Sequence, residues 1–252
     1  MCLRSLAALK SLIVAVPLVL AGLPADVGAR EVRVAFGTTR EPFVFAGKNR
    51  GIEVEIVRTV LQRLGHELVP VYVPNARIAH AFESRLVDVA TTSQPQPGAV
   101  GYFSEPYISF ENVAITLSSR KIKLESLADL GKLKVAAFQK ASEFLGEDYK
   151  RAVAGRADYR EIADHMAQNR LLYRGGADAI VLERHVFEYQ NKLLASSRFA
   201  EKPQPVEIHR LFPPTLYRMR FHDMALRDEF DLEFAAITQL GIPEAITRKY
   251  GY

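Results

Sequence analysis

The feature that most constrains the fold is an alternation of strand-like and helix-like segments, which begins just after residue 30. Residues 31–37 alternate apolar and polar side chains as a strand does, and residues 52–64 carry apolar side chains at helical spacing. A second strand at 67–73, a helix at about 77–85 and a third strand at 88–92 follow. Strands and helices that alternate in this way predict a mainly parallel sheet covered by helices on both faces.

A second series of the same kind follows in the other half of the chain. Strands are predicted at 133–138 and 177–182, and helices near Ser142 and at 161–173, 185–194, 224–240 and 243–250. The basic stretch 118–123 and the proline-containing stretch 203–210 mark two crossings between the units. We therefore predict an α/β protein with two lobes and two hinge crossings, and a ligand cleft between the lobes. Lobe 1 is predicted to comprise 30–117 and 208–252, and lobe 2 to comprise 118–207.

The first thirty residues have the pattern of a signal peptide. Arg4 and Lys10 precede an uncharged, mostly apolar run at 11–23, which is too short for an ordinary transmembrane helix. Small residues ending at Ala29 suit cleavage there, and a retained N-terminal anchor is the alternative. We predict that 1–29 is a signal peptide and that the exported chain, which lacks the single Cys2, has no thiol chemistry.

Composition excludes several classes of function. The 33 basic and 29 acidic residues are interspersed, and the net charge of +4 is too small to imply a nucleic-acid partner. The six histidines have no spacing typical of a metal site. The sequence has neither a glycine-rich phosphate loop nor a Gly-x-Ser-x-Gly motif. We therefore predict no metal, no cofactor and no nucleic acid.

Short motifs in a fixed order carry a family resemblance over about residues 31–251. They are EPFVF at 41–45, GIEVE at 51–55, LVDV at 86–89, FSEPY at 103–107, LADL at 127–130, VAAFQ at 135–139, GADAIV at 176–181 and RKYG at 248–251. Each motif alone is weak, but their order resembles the family-three extracellular solute-binding proteins. The resemblance implies the type-II periplasmic-binding-protein fold.

The resemblance also implies a function. It implies a monomeric periplasmic protein that is not an enzyme. Such a protein would capture a small polar, carboxylate-bearing ligand, such as an amino acid, and deliver it to an ABC permease. One alternative is a ligand-sensing protein for a membrane receptor. Another is a cyclohexadienyl-dehydratase-like enzyme on the same fold, in which Glu183 or Glu41 would transfer a proton.

The resemblance places one half of the site in lobe 1. Members typically hold the ligand carboxylate with an arginine in a threonine-rich segment before the FSxPY motif. Here that segment, 91–98, contributes Thr92 and Ser93 but has no arginine. Arg77 is the candidate replacement, because a guanidinium binds both oxygens of a carboxylate. Arg40 is a further candidate, and an ordinary surface position is the alternative for Arg77.

The other half of the implied site lies in lobe 2 and in an aromatic wall. Ser142 would meet the ligand carboxylate at a helix start, or it would simply cap the helix. Glu183 corresponds to the acid with which members grip the ligand amino group, and a solvated loop acid is its alternative. Phe43 and Tyr107 would cover the ligand, with core packing as their alternative role.

Overall fold

The computed structural model describes residues 30–38 and 40–252, so the predicted signal peptide lies outside the described residues. Over the described part the strands are β1 (Glu31–Gly37), β2 (Glu67–Val73), β3 (Val89–Ser93), β4 (Tyr102–Phe110), β5 (Asn112–Leu117), β6 (Val135–Phe138), β7 (Tyr159–Ile162), β8 (Ala179–Glu183), β9 (Val206–His209) and β10 (Thr215–Phe221). The helices are α1 (Ile52–Arg63), α2 (Ile78–Glu83), α3 (Leu127–Leu130), α4 (Ala141–Phe144), α5 (Glu147–Val153), α6 (His165–Tyr173), α7 (Arg184–Ser196), α8 (Met224–Gln239) and α9 (Ile242–Lys249).

The strands form two five-stranded sheets, one in each lobe. The first has the order β2-β1-β3-β10-β4, and the second has the order β7-β6-β8-β5-β9. In each sheet three strands that alternate with helices are parallel, namely β1, β2 and β3 in the first and β6, β7 and β8 in the second. The other two strands of each sheet are antiparallel additions. The predicted two-lobed α/β architecture is therefore confirmed.

Helix α1 shows how the local sequence produces these elements. Its apolar face is buried, with Val57 and Val60 fully inaccessible to solvent. The helix ends where Gly65 takes a φ of +78°, and the His66 N–H donates to the Leu61 carbonyl at 2.8 Å. This is the Schellman motif, in which a glycine adopts the left-handed conformation at no steric cost. The predicted end of this helix at Gly65 is confirmed.

The chain changes sheets earlier than the predicted lobe boundary at 117. Strand β4 ends in the first sheet at Phe110 and β5 begins in the second at Asn112, so the crossing is at Glu111. The return crossing lies at 210–214, between β9 and β10. Strand β5 is fully buried and apolar like the end of β4, so hydropathy shows one continuous run. Residues 112–117 and 208–209, which were predicted to belong to lobe 1, therefore lie in the sheet of lobe 2.

Glu111 joins the two crossings by ion pairs. Its carboxylate accepts from Arg210 at 2.5 Å on the return crossing and from Arg184 at 3.3 Å at the start of α7. Partial burial raises the pKa of the Glu111 carboxyl, but the hydrogen bonds from the two guanidiniums outweigh it and hold the pKa below its usual value. The carboxylate is therefore charged at neutral pH, and it ties both crossings to the second lobe.

In both sheets, the edge at the carboxyl ends of the parallel strands faces the other lobe. The carboxyl ends of parallel strands share one edge of a sheet, and ligands of open α/β sheets bind outside that edge. The Phe43 ring, which follows β1, lies 5.9 Å from the His185 ring, which follows β8. The Phe45 ring lies 5.4 Å from the Tyr189 ring of α7. The carboxyl ends of both parallel sets therefore border the space between the lobes.

Candidate ligand-binding site

Arg40 lies at the centre of the first lobe's contribution, just after β1. Its guanidinium donates to Glu53 at 3.4 Å, to Asn75 at 3.1 Å and to Thr92 at 3.4 Å. It also lies 5.1 Å from the centre of the Phe110 ring, within range of a cation–π interaction. Its side chain is only 11% exposed. Arg40, which is almost fully buried, thus joins the segment after β1 to the first turn of α1, the turn after β2 and the end of β3.

The carboxylate that pairs with Arg40 is fully buried. Glu53, in the first turn of α1, has no solvent exposure and accepts a hydrogen bond from the Tyr107 hydroxyl. Burial raises the pKa of the Glu53 carboxyl, while the Arg40 charge and the Tyr107 hydroxyl lower it. Burial and the neighbouring carboxylate hold the pKa of Tyr107 well above its ordinary value. The network therefore places one cation, one acid and one neutral phenol under the cleft.

Phe43 is positioned by contacts of the backbone. The Glu53 N–H donates to the Phe43 carbonyl at 3.0 Å, and Gly51 lies against the same carbonyl. A Cβ on Gly51 would lie 2.1 Å from that oxygen, and Gly51 has a φ of +134°, so only glycine fits there. The Phe43 ring is buried and packs 4.6 Å from the Phe110 ring. The predicted aromatic residue therefore lies at the junction of the two lobes.

Tyr107, the other predicted aromatic, is buried with its hydroxyl directed inward. That hydroxyl accepts from the Thr92 N–H at 3.1 Å and donates to Glu53. Thr92 has a φ of +44°, and its side-chain oxygen accepts from Arg40. The Ser93 hydroxyl donates to the Thr91 carbonyl at 3.3 Å. The structure thus brings Thr92 and Tyr107 together around Arg40, with Ser93 at the adjacent end of β3.

Arg77 lies at the outer edge of the same group. It is exposed, and it follows β2 in the short turn that carries Asn75, the acceptor of the Arg40 hydrogen bond. No acceptor lies within hydrogen-bond distance of its guanidinium among residues 30–38 and 40–252. Arg40 is therefore committed to internal partners, whereas Arg77, in the turn after β2, is exposed to solvent.

In the second lobe, the polar groups of Ser142 are bound to a carboxylate of the chain itself. The Ser142 N–H and hydroxyl donate to Glu161 at 2.9 and 2.7 Å. Ser142 lies within α4 and does not cap it, because the capping position is Lys140. The alternative role predicted for Ser142, a helix cap, is therefore wrong.

Glu183 is buried and begins α7 from the end of β8. One carboxylate oxygen accepts from the Val186 N–H at 2.9 Å, which makes Glu183 the N-cap, and the other lies 2.9 Å from the His185 ring nitrogen. Burial lowers the pKa of His185, but the hydrogen bond and charge of Glu183 outweigh it, so that pKa lies above its ordinary value. Glu183 is therefore not a solvated loop acid, and each of its carboxylate oxygens already has one partner within the lobe.

His165 faces the first lobe from the start of α6. Its ring nitrogen lies 2.9 Å from the buried Gln168 side-chain oxygen. Burial lowers the pKa of His165, the hydrogen bond to Gln168 opposes this, and the Arg40 charge lowers the pKa further. The charge of the half-buried Glu41 works in the opposite direction and raises the pKa of His165. It adds to burial in raising the pKa of Tyr189. The electrostatic influence of Arg40 and Glu41 thus reaches the second lobe.

The site contains residues that the sequence pattern did not single out. They are Asn75, Glu53, Glu161, His165, His185 and Tyr189. A common signal was available, because Asn75 and His165 directly follow β2 and β7 as the predicted ligand residues follow other strands. No group of three or more His, Cys, Asp or Glu in the described part of the chain is placed to hold a metal ion.

Comparison with models of known protein families assigns the chain to one of them. The sequence model of the bacterial extracellular solute-binding proteins, family 3, matches residues 32–252. The chain belongs to this family. The match covers both lobes and both crossings of this solute-binding protein. No match is found among curated proteins.

Solved structures show the same fold at low identity. The arginine-, lysine-, histidine-binding protein ArtJ from the thermophilic bacterium Geobacillus stearothermophilus is 16% identical, with a TM-score of 0.66 over 88% of this chain and 95% of that chain. The ancestral amino acid-binding protein AncCDT-1, a precursor of cyclohexadienyl dehydratase, is 20% identical, with a TM-score of 0.68 over 88% and 96%. A histidine kinase sensor domain with similarity to periplasmic binding proteins is 21% identical, with a TM-score of 0.67 over 88% and 96%.

Proposed function

We propose that this solute-binding protein is an exported, periplasmic protein that captures a small, carboxylate-bearing polar solute between its lobes. The solute would then be presented to an ABC permease. Family membership and the carboxyl-end edges that border the interlobe space support a binding role. Among the helices that the structure describes, none is long and apolar enough to cross a membrane.

The observation that carries the proposal is the pair of arginines behind β1 and β2. Arg40 is fixed by Glu53, Asn75 and Thr92 under the cleft. Arg77 adds an exposed guanidinium at the cleft edge. A planar guanidinium binds a carboxylate through two parallel hydrogen bonds, which gives orientation as well as affinity. The first lobe would therefore be the lobe that binds the solute carboxylate.

Capture would proceed by closure about the two crossings at Glu111 and 210–214. A solute held by both lobes favours the closed form only by its differential affinity for that form. The aromatic contacts between Phe43 and His185, and between Phe45 and Tyr189, already join the lobes and would be part of the closed interface. The closed form is the species that the permease would distinguish from the empty protein.

Binding without turnover is part of the proposal. Of the two acids considered for proton transfer, Glu183 caps α7 and pairs with His185, which leaves it poorly placed to exchange a proton with a solute. A histidine kinase sensor domain shares the fold, so the same cleft would also serve a sensing role. The neighbouring genes would separate the two roles, because a permease and an ATPase indicate transport and a histidine kinase indicates sensing.

A thermal-shift screen of residues 30–252 tests the proposal. Saturating concentrations of the right carboxylate-bearing solute are expected to raise the melting temperature, because the solute binds only the native state. Arg77→Gln is expected to weaken that binding roughly 10- to 150-fold, which corresponds to the loss of one charged hydrogen-bonded contact.

Arg85→Gln is the matched control, since Arg85 is also exposed but lies just past the opposite end of α2. It is expected to leave the affinity unchanged. If amino acids, organic acids and amines all leave the melting temperature of the wild-type chain unchanged, the proposed function is wrong.

A further inference from the structure

Four donors of the second lobe converge on a single carboxylate of the chain itself. One oxygen of Glu161 accepts from the Ser142 N–H at 2.9 Å, the Ser142 hydroxyl at 2.7 Å and the Tyr159 hydroxyl at 2.7 Å. The other oxygen accepts from the Lys140 N–H at 2.6 Å. A carboxylate has about four lone-pair sites, and Glu161 accepts four hydrogen bonds, three on one oxygen and one on the other.

The cluster lies on the side of the second lobe that borders the interlobe space. Glu161 is on β7, opposite Ala137 of the parallel strand β6, and Lys140 and Ser142 directly follow β6. Lys140 has a φ of +68°, which turns the loop so that its N–H and that of Ser142 point to the same carboxylate. Glu161, a residue of the chain itself, therefore accepts the hydrogen bonds of the donors nearest the carboxyl ends of β6 and β7.

Electrostatics keep that carboxylate charged. Partial burial raises the pKa of Glu161, but the hydrogen bonds from Ser142, Tyr159 and Lys140 outweigh burial, and the pKa lies below its usual value. At neutral pH the donors are thus satisfied by a full negative charge. A second negative group from a solute would meet both occupied donors and like-charge repulsion.

We propose that Glu161 is a specificity-determining residue that stands in for a ligand carboxylate in the second lobe. A carboxylate attached to the chain is always present at high effective concentration, whereas a solute carboxylate must compete from solution. The solute is therefore bound through one carboxylate, by the first lobe, and solutes that need a second anionic contact in the second lobe are rejected. The role of Glu161 in specificity rests on the proposed function. The hydrogen bonds between Glu161 and the four donors are independent of it.

Chemical rescue tests the occupancy without any knowledge of the natural solute. Glu161→Ala is expected to lower the melting temperature of residues 30–252, since it leaves four donors without an acceptor. Acetate at about 100 mM is then expected to raise it by roughly 3–6 °C relative to chloride at equal ionic strength, for a Kd of about 10 mM. The difference between acetate and chloride is expected to be smaller for the wild-type chain, in which Glu161 already occupies the second-lobe donors.

Glu147→Ala is the matched control, because Glu147 lies in the same lobe, is 72% exposed and pairs only with Lys150 among the described residues. An acetate effect on Glu161→Ala no larger than on Glu147→Ala would overturn the proposal. Succinate, a dicarboxylate, should also stabilise Glu161→Ala more than it stabilises the wild-type chain.

Glu161→Gln keeps the side-chain volume and gives a second measurement if the alanine variant does not fold. The Lys140 and Ser142 amide proton signals are expected to move upfield when the charged acceptor is replaced by a neutral one. Unchanged signals would overturn the proposal. If acetate rescues the variant but no solute binds the wild-type chain, the proposed function fails and the role of Glu161 as internal occupant stands.

Discussion

Arg40→Met is expected to lower the free energy of unfolding by about 3–5 kcal/mol, because it leaves the Glu53 carboxylate buried without its counter-ion. Glu53 has no solvent exposure, and the Arg40 side chain is almost as inaccessible. For a domain of this size the loss corresponds to a fall of roughly 6–20 °C in melting temperature. Urea denaturation monitored by circular dichroism would measure it.

The size of this loss is expected to depend on pH. Burial already raises the pKa of Glu53, and removal of Arg40 takes away the charge that opposes this. The native variant then holds a proton that the unfolded chain releases, so its stability falls as the pH rises above the ordinary carboxyl pKa. The difference from wild type should therefore be larger at pH 8 than at pH 5.

Two further variants test whether the loss comes from the buried Arg40–Glu53 pair. Arg77→Met removes an exposed guanidinium from the neighbouring turn and is expected to change stability by no more than about 0.5 kcal/mol. Arg40→Met combined with Glu53→Gln removes the buried charge and should recover part of the loss. If Arg40→Met is as stable as Arg77→Met, the buried pair does not hold the first lobe together as described.

Phe43→Ala is expected to cost about 3–5 kcal/mol of folding free energy and to loosen the contact between the lobes. The ring is 4% exposed and packs against Phe110 at the first crossing and against His185 of the second lobe. Truncation of a buried phenylalanine removes its transfer free energy and leaves a cavity. Chemical denaturation would measure the loss, and Phe144→Ala, at a ring that is 40% exposed, is the control with a small expected effect.

A double-mutant cycle isolates the part of this loss that belongs to the interlobe contact. Phe43→Ala, His185→Ala and the double variant are expected to give a coupling energy of about 0.5–1.5 kcal/mol, the range for an edge-on aromatic pair. A coupling energy of zero would mean that Phe43 stabilises only its own lobe. In that case the closed arrangement of the two rings would not contribute to holding the lobes together.

The sequence carries the fold because its signals are local and repeated. Alternation in β1, the apolar face of α1 and the glycine at position 65 each specify one element, and strands that alternate with helices allow few topologies. The crossing was misplaced because the end of β4 and the whole of β5, residues 108–117, read as one extended and mostly apolar segment that only Glu111 and Asn112 interrupt. Hydropathy reports burial, and it does not show in which of the two sheets a buried residue lies.

The site was harder to predict because its key pairings are between residues far apart in the chain. Nothing in the local sequence around Arg40 indicates that it meets Glu53, Asn75 and Thr92, since those contacts depend on how three strand ends converge. The partner of Ser142 is equally hidden, because Glu161 reaches it only through the pairing of β6 with β7. Sequence can nominate residue types behind strands, and the fold decides which donors are already occupied.

Hydrogen exchange measured by mass spectrometry tests the central claim, that the solute binds between the carboxyl ends of the two parallel sets. With a solute that passes the thermal screen, protection is expected together in 40–45, 74–77 and 91–94 of the first lobe and in 139–142 and 163–166 of the second. Protection confined to one lobe, or to the opposite strand ends around 84–88 and 118–134, would contradict the account.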